Sequence, residues 1–356
     1  GYCKFALDLF IALDRCVKEE NKQNAAVVFL LVIMVLWFTQ GMIWDNKVPF
    51  FRDLGPYFYP MRFSLAAAFR KGELPLWDRH MSMGFPLLAD FQSASFYPPH
   101  LLFLVLPFFT AVRALYVLHY LVAALGAYKL CRYWGYPPYL ALIGGELFAL
   151  GGTLVSLSNV LNHFQTAVWL PWIVLWWEKA RLLGDPKSLT YLALVSAVQF
   201  LAGSPELYLM TLALLLLDTW RIGKPVKLGR SLLLIGGLNI VVVAVSMVQI
   251  LPTLELLSES RGSHRVAYSE STMWSLQPWS LINLFFLDKE INPNLINGIY
   301  PLFLPKIPFL ISYYLGSLSM LGILLWLACG TQREKILLSS LVVVSVIVAM
   351  GNYTPG

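Results

Sequence analysis

Two aspartates lie where a carboxylate could act on a substrate held at a membrane surface. Asp53 follows the first long apolar segment, between Arg52 and a Gly-Pro-aromatic stretch, and Asp90 lies in the sequence Ala-Asp-Phe-Gln-Ser. A carboxylate in such a position can take a proton from a hydroxyl group, which is general base catalysis. A solvated loop aspartate paired with Arg52 would have the same sequence. The residues alone therefore leave both interpretations open.

A second set of charged residues, Glu255, Arg261 and Arg265, follows the apolar segment that ends near residue 251. Because a guanidinium can bind two phosphate oxygens at once, the two arginines favour a phosphate headgroup just outside the bilayer. The alternative is that both arginines pair with anionic membrane lipids of any kind.

His163 and Glu206 occur at the outward ends of apolar segments and are candidates for lining the same cavity. Glu206 follows the tight turn Gly203-Ser204-Pro205, so it is equally compatible with a solvated hairpin tip. His119 and Glu146 lie inside apolar runs. Placing an ionisable side chain there costs free energy, so such a residue usually forms a hydrogen bond between helices or takes part in function. The four cysteines have no metal-ligand spacing, and no nucleotide-binding, zinc-protease or serine-hydrolase motif is present.

These residues need a membrane-embedded scaffold to position them. Of the 356 residues, 58% are hydrophobic and only 13% are charged, which is too little charge for a soluble domain. The pattern predicts an all-α polytopic membrane protein with about nine spans, each near the ~20 residues that cross a bilayer. The predicted spans are 25–44, 101–130, 138–157, 165–178, 188–203, 207–220, 231–251, 310–329 and 336–350.

The organisation around these spans is simple. Residues 1–24 are predicted to form a cytoplasmic N-terminal segment, and residues 25–356 a transmembrane domain that we expect to be incomplete at its C-terminus. Two long outer segments, about 45–100 and 252–309, interrupt the spans. Within the first, apolar residues recur at helical spacing from Phe58 to Phe69, which predicts a helix lying on the outer membrane surface.

Lysine and arginine cluster in alternate connections between the spans. The segment from Arg221 to Arg230 has four of these cations and no acid. The positive-inside rule places such connections, and with them the N-terminus, in the cytoplasm. The net charge of +6 is spread over membrane exits and forms no continuous stripe, which excludes a nucleic-acid partner.

Several motifs occur in a fixed order along the chain. They are Gly72-Glu-Leu-Pro-Leu-Trp-Asp, Gly84-Phe-Pro-Leu-Leu-Ala-Asp-Phe-Gln-Ser-Ala-Ser-Phe-Tyr-Pro-Pro, Leu251-Pro-Thr-Leu-Glu-Leu-Leu, Tyr313-Tyr-Leu-Gly and Met350-Gly-Asn-Tyr-Thr-Pro. In this order they resemble the YfhO-type bacterial membrane protein family, which is similar to the C-type (GT-C) glycosyltransferases. The resemblance runs from about residue 40 to the end. It departs from the family at Ser204, where members more often have histidine, and in length, since members commonly continue further.

The resemblance implies a GT-C-like helical bundle in the bacterial inner (cytoplasmic) membrane. Its implied activity is transfer of a sugar from a polyprenyl-phosphate donor to a cell-envelope acceptor on the outer face. Asp53 would be the catalytic base, with Asp90 as an alternate or helper. The residues placed around the sugar and the leaving phosphate are Arg261, Arg265, His163, Glu206 and Glu255. Membrane lipids and protein partners in a larger complex are further expectations; no cofactor is identified, and a divalent cation is left open.

Two functions of other classes compete with this one. The first is a non-catalytic integral subunit that scaffolds a larger membrane complex, which predicts co-purifying proteins and no requirement for Asp53. The second is a transporter that uses Glu146 and His119 as a relay. The transporter ranks last, because the polar residues concentrate outside the spans.

Overall fold

A computed structural model describes most of the chain between residues 22 and 353. The described residues are 22–81, 83–221, 228–260, 267–268, 272–284, 310, 312, 314, 320, 322–324, 326–327 and 332–353. Over these residues the protein is helical and has no β-strand, in agreement with the predicted all-α class. A single isolated β-bridge joins Asp78 to Phe85.

The α-helices are numbered here in chain order. They are α1 Lys22–Phe38, α2 Gln40–Ile43, α3 Phe58–Arg70, α4 Leu102–Val105, α5 Phe108–Tyr133, α6 Pro138–Leu150, α7 Gly152–Leu157, α8 Leu161–Ala167, α9 Leu170–Leu183, α10 Pro186–Leu201, α11 Pro205–Arg221, α12 Leu228–Glu259 and α13 Gln332–Met350. Short 3₁₀ helices at Arg52–Leu54, Phe91–Ser93, Pro98–Leu101, Pro278–Leu284 and Gly351–Tyr353 connect or extend them.

Three helices of the described residues are long and apolar enough to cross a membrane: α5, the run Pro138–Leu157 formed by α6 and α7, and α12. Helices α9, α10 and α11 have 14, 16 and 17 residues, which is shorter than the ~20 that span a hydrocarbon core. The arrangement of about nine spans therefore stays a prediction. The predicted span 310–329 lies largely outside the described residues.

Helix α12 is longer than a bilayer requires. Its 32 residues measure about 48 Å at 1.5 Å per residue, against a hydrocarbon core of ~30 Å. The helix continues through Pro252 to Glu259, beyond the end near residue 251 that the sequence predicts for this span. Large apolar side chains such as Leu233 and Ile240 are 78% and 72% exposed, as lipid-facing side chains would be.

The bundle centre is held together by small residues that allow close helix approach. At Gly145 of α6, an added Cβ would come within 2.9 Å of the Ala124 carbonyl oxygen of α5. Such close backbone contact is typical of helix pairs in membranes. Phe164 of α8 completes the core, stacking on Tyr116 at a ring-centroid distance of 5.5 Å.

The helix predicted from Phe58 to Phe69 is present as α3, but its apolar face packs against the protein. Phe58, Met61 and Leu65 are at most 2% exposed. Arg62, which shares that face, is completely buried. Helix α3 is therefore part of the folded core of the first outer segment.

Candidate functional site

Asp53 and Asp90 are brought together by the start of α3. Asp53 lies in the 3₁₀ helix Arg52–Leu54, and its carbonyl oxygen accepts a hydrogen bond from the Tyr57 amide at 3.0 Å. The Tyr57 hydroxyl donates to Asp90 Oδ2 at 2.6 Å. Burial and the Asp90 hydrogen bond raise the pKa of Tyr57 well above its usual value, and the charge of Asp53 adds to this rise. Tyr57 is therefore a protonated donor to Asp90, and its backbone amide ties it to the Asp53 carbonyl.

The two aspartates differ in how their carboxylates are used. Asp90 accepts from Tyr57 with one oxygen, and with the other it accepts from the Gln92 amide at 3.0 Å, capping the 3₁₀ helix Phe91–Ser93. Asp53 is exposed, and its carboxylate makes no hydrogen bond or ion pair within the described part of the chain. Asp53 is thus available to a substrate, whereas Asp90 holds local structure.

Arg62 is a buried positive charge beneath this pair. Its guanidinium donates to the Gln92 carbonyl at 3.0 Å and to the Ser93 carbonyl, and it forms no ion pair with a described carboxylate. Burial lowers the pKa of Arg62 to about 10, while the charge of Asp90 opposes that shift, so the side chain stays cationic at neutral pH. The sequence reasoning did not single out Arg62, although its spacing from Phe58 and Leu65 places it on the apolar face.

His163 and Glu206, predicted to share a cavity, are in direct contact. His163 Nε2 lies 3.0 Å from Glu206 Oε1, and the Ser204 hydroxyl donates to the same oxygen at 2.7 Å. Burial opposes ionisation of Glu206, but the hydrogen bonds from His163 and Ser204 hold its carboxyl pKa at about 2, below the usual value. Asn162 secures the turn by donating to the Gly203 carbonyl at 3.0 Å.

The Asp53–Asp90 pair and the His163–Glu206 pair flank one turn of the outer segment. The turn from Phe91 to Ala94 packs directly on Gly203, where an added Cβ would lie 3.1 Å from the Phe91 carbonyl oxygen. The ring of Phe91 also meets Phe200 edge-on at 5.1 Å. Both candidate pairs therefore belong to one continuous region of the fold.

Helix α12 anchors the same outer segment from another side. Gln249 donates to the Leu88 carbonyl at 2.7 Å, and Thr253 donates to the Ala89 carbonyl at 2.8 Å. The exposed Glu255 lies two residues beyond Thr253 in α12 and lines a groove of about 280 Å³ against the outer segment. Arg261 and Arg265 lie outside the described residues, so their phosphate-binding role stays a prediction.

A buried hydrogen-bond network fixes the end of the outer segment. The Tyr97 hydroxyl lies 2.6 Å from His119 Nε2 and accepts from Trp169 Nε1 at 2.9 Å. His119 Nδ1 lies 2.6 Å from the Leu115 carbonyl, so both of its ring nitrogens are engaged locally. His119 therefore bonds to the outer segment and to its own helix, and not to a second helix as the sequence suggested. Together the two contacts leave no ring nitrogen for a relay with Glu146.

Fold and site together describe an α-helical protein in which three helices of the described residues could span a membrane. Within the described residues, no group of three or more His, Cys, Asp or Glu side chains could hold a metal ion. Comparison of the chain with protein-family models, curated proteins and solved structures finds no match.

Proposed function

We propose that this protein is a membrane glycosyltransferase of the bacterial inner membrane. It would move a sugar from a polyprenyl-phosphate donor to a cell-envelope acceptor on the outer face, within a GT-C-like bundle of about nine spans. The observation that carries the proposal is the exposed Asp53 carboxylate, which makes no hydrogen bond or ion pair with a described residue, four positions before the Tyr57 that bonds Asp90. This arrangement offers a base to a hydroxyl nucleophile and holds its surroundings rigid.

In the proposed reaction Asp53 takes the proton of an acceptor hydroxyl. The acceptor oxygen forms a bond to the anomeric carbon of the donor sugar. The bond between that carbon and the phosphate oxygen breaks, and its electron pair leaves with polyprenyl phosphate. Arg261 and Arg265 would neutralise the departing phosphate, which is the main electrostatic requirement of such a transfer. The protonated Asp53 then returns its proton to water.

The remaining predicted residues have supporting places in this scheme. The contact between His163 and Glu206 joins two polar side chains on the far side of the turn that carries Asp90, where they would line the sugar pocket. Glu255 lies on the part of α12 that exceeds the thickness of the bilayer core. This position supports a role at the outer membrane surface, next to the lipid headgroups.

Replacement of Asp53 by asparagine tests the proposal. The purified protein would be assayed with radiolabelled polyprenyl-phosphate hexoses and a cell-envelope acceptor fraction. Asp53→Asn should reduce transfer by ~10²–10⁴-fold, the usual contribution of a general base, with an unchanged thermal midpoint. Asp45→Asn is the matched control, because Asp45 is an exposed outer-segment acid paired with Lys47 at 2.9 Å.

Normal transfer by Asp53→Asn would overturn the assignment of the base. Absence of transfer in the wild-type protein, together with stable co-purification of other membrane proteins, would favour the scaffolding subunit instead.

A further inference from the structure

A separate cavity lies between α3 and the chain that follows it. Its volume is about 750 Å³, within the ~300–1,000 Å³ range of small-molecule sites. Its polar lining residues are Ser64, Lys71, Glu73, Asp78, Arg79 and His80, and its aromatic ones are Phe63 and Trp77. Of the residues assigned above to sugar transfer, the five that the structure describes do not line this cavity.

The cavity wall is held in place by backbone contacts at Asp78. Asp78 and Phe85 exchange two backbone hydrogen bonds of 2.8 Å each, which close the intervening loop. Gly84, with φ +122°, lets Trp77 lie against its backbone, since an added Cβ would be 2.7 Å from the indole Cζ2. The site is therefore formed by the fold and does not depend on ligand for its shape.

Asp78 is the lining residue whose hydrogen bonding is incomplete. It is 4% exposed, and its Oδ1 accepts from the His80 amide at 2.8 Å. Its Oδ2 is buried and has no hydrogen-bond partner. A buried carboxylate oxygen without a partner is unfavourable, so a donor group from a ligand would relieve that cost.

The charged side chains around the cavity do not favour binding of a lone phosphate or metal ion. Lys71 and Arg79 are balanced by Glu73 and Asp78, so the lining has no net charge when His80 is neutral. A phosphate would meet two carboxylates. A metal ion would lack ligands, because no cluster of three ligating side chains exists in the described ranges.

Trp77 adds an apolar surface to this polar lining. Its side chain is 60% exposed while lining the cavity, and Phe63 nearby is 59% exposed. An indole beside hydrogen-bonding groups matches a ligand that has a C–H face and a rim of hydroxyl groups. From this geometry we infer that the cavity between α3 and residues 71–81 binds a neutral saccharide, with Trp77 against a sugar ring and Asp78 accepting from a hydroxyl. That this saccharide is the acceptor rests on the proposed function; its binding does not.

Equilibrium binding to the full chain tests the inference. The protein would be held in nanodiscs or a polyoxyethylene detergent, because glycoside detergents would compete for the site. Tetrasaccharides of glucose and of N-acetylglucosamine, inorganic phosphate and calcium chloride would be titrated separately by calorimetry. One tetrasaccharide should bind, Asp78→Asn and Trp77→Ala should each weaken it at least tenfold, and Asp45→Asn should leave it unchanged.

Asparagine keeps the shape of Asp78 and its bond from His80, so Asp78→Asn separates ligand binding from folding. A thermal midpoint equal to that of the wild type confirms this for each variant. Binding of neither tetrasaccharide, equal binding by Asp78→Asn, or binding of phosphate or calcium alone would overturn the inference. Saccharide binding is measured without donor or transfer, so loss of transfer in Asp53→Asn and loss of binding in Asp78→Asn are separate results and the two failures are distinguishable.

Discussion

Replacing Gly203 with alanine perturbs the contact through which the outer segment rests on the bundle. Gly203 has φ +99°, a conformation that costs a residue with a side chain ~1–3 kcal/mol. The new Cβ would also lie 3.1 Å from the Phe91 carbonyl oxygen and 3.2 Å from Ala94 Cβ. Neither atom can rotate away, so the turn must move, and such overpacking costs a further ~1–3 kcal/mol.

Gly72→Ala is the matched control for this variant. Gly72 has φ +74°, but nothing lies within 4 Å of its added Cβ, so it carries the backbone cost alone. At ~2–4 °C per kcal/mol, the Gly203 variant should melt ~2–12 °C below the Gly72 variant. The measurement is the thermal midpoint of each purified full chain in one detergent. Equal midpoints would refute the packing of the Phe91–Ala94 turn on Gly203.

Two further substitutions test the polar contacts. Tyr97→Phe should destabilise the protein by ~2–6 kcal/mol, because the Trp169 indole and a His119 nitrogen would each lose a buried partner at ~1–3 kcal/mol. The drop in thermal midpoint measures this loss. A midpoint within about 1 °C of the wild type, on the order of the measurement error, would contradict it. Burial opposes ionisation of Glu206, yet the hydrogen bond from His163 holds its carboxyl pKa at about 2. The ionised Glu206 therefore stabilises the folded protein fully above its ordinary pKa of 4.5, and this stabilisation is lost as the pH falls towards 2. Because the Glu206 side chain is 50% exposed, screening limits this contribution to ~1 kcal/mol, and Glu206→Gln should flatten the fall of the midpoint between those pH values.

The sequence was sufficient to predict the parts of the fold that depend on composition. Helices α5 and α12 are long apolar segments with few charges. In a membrane such a segment forms a helix, because the helix satisfies every backbone polar group internally. The helix α3 was also predictable from its apolar spacing. The surface against which α3 packs was not predictable, because the same apolar spacing is expected for a helix that contacts lipid and for one that contacts protein.

The sequence indicated single candidate residues of the site but not the contacts between them. The outward positions of His163 and Glu206 made both candidates for one cavity, but they predicted neither the direct contact between them nor the hydrogen bond from Ser204. The division of roles between Asp53 and Asp90 was not visible, since it depends on Tyr57, which is bonded to Asp90 across 33 positions of sequence. The burial of Arg62 was not predictable, because a cationic side chain near a membrane ordinarily contacts solvent or lipid headgroups.

The bonds from α12 to the outer segment have a consequence for how the protein is made. Gln249 reaches the Leu88 carbonyl across 161 positions of the chain, and Thr253 reaches Ala89 across 164. At ~5–20 residues per second, a ribosome needs ~8–30 s to pass from one partner to the other. Throughout that interval Leu88 and Ala89 lack these two hydrogen-bond partners, so the final docking of this segment must follow the synthesis of α12.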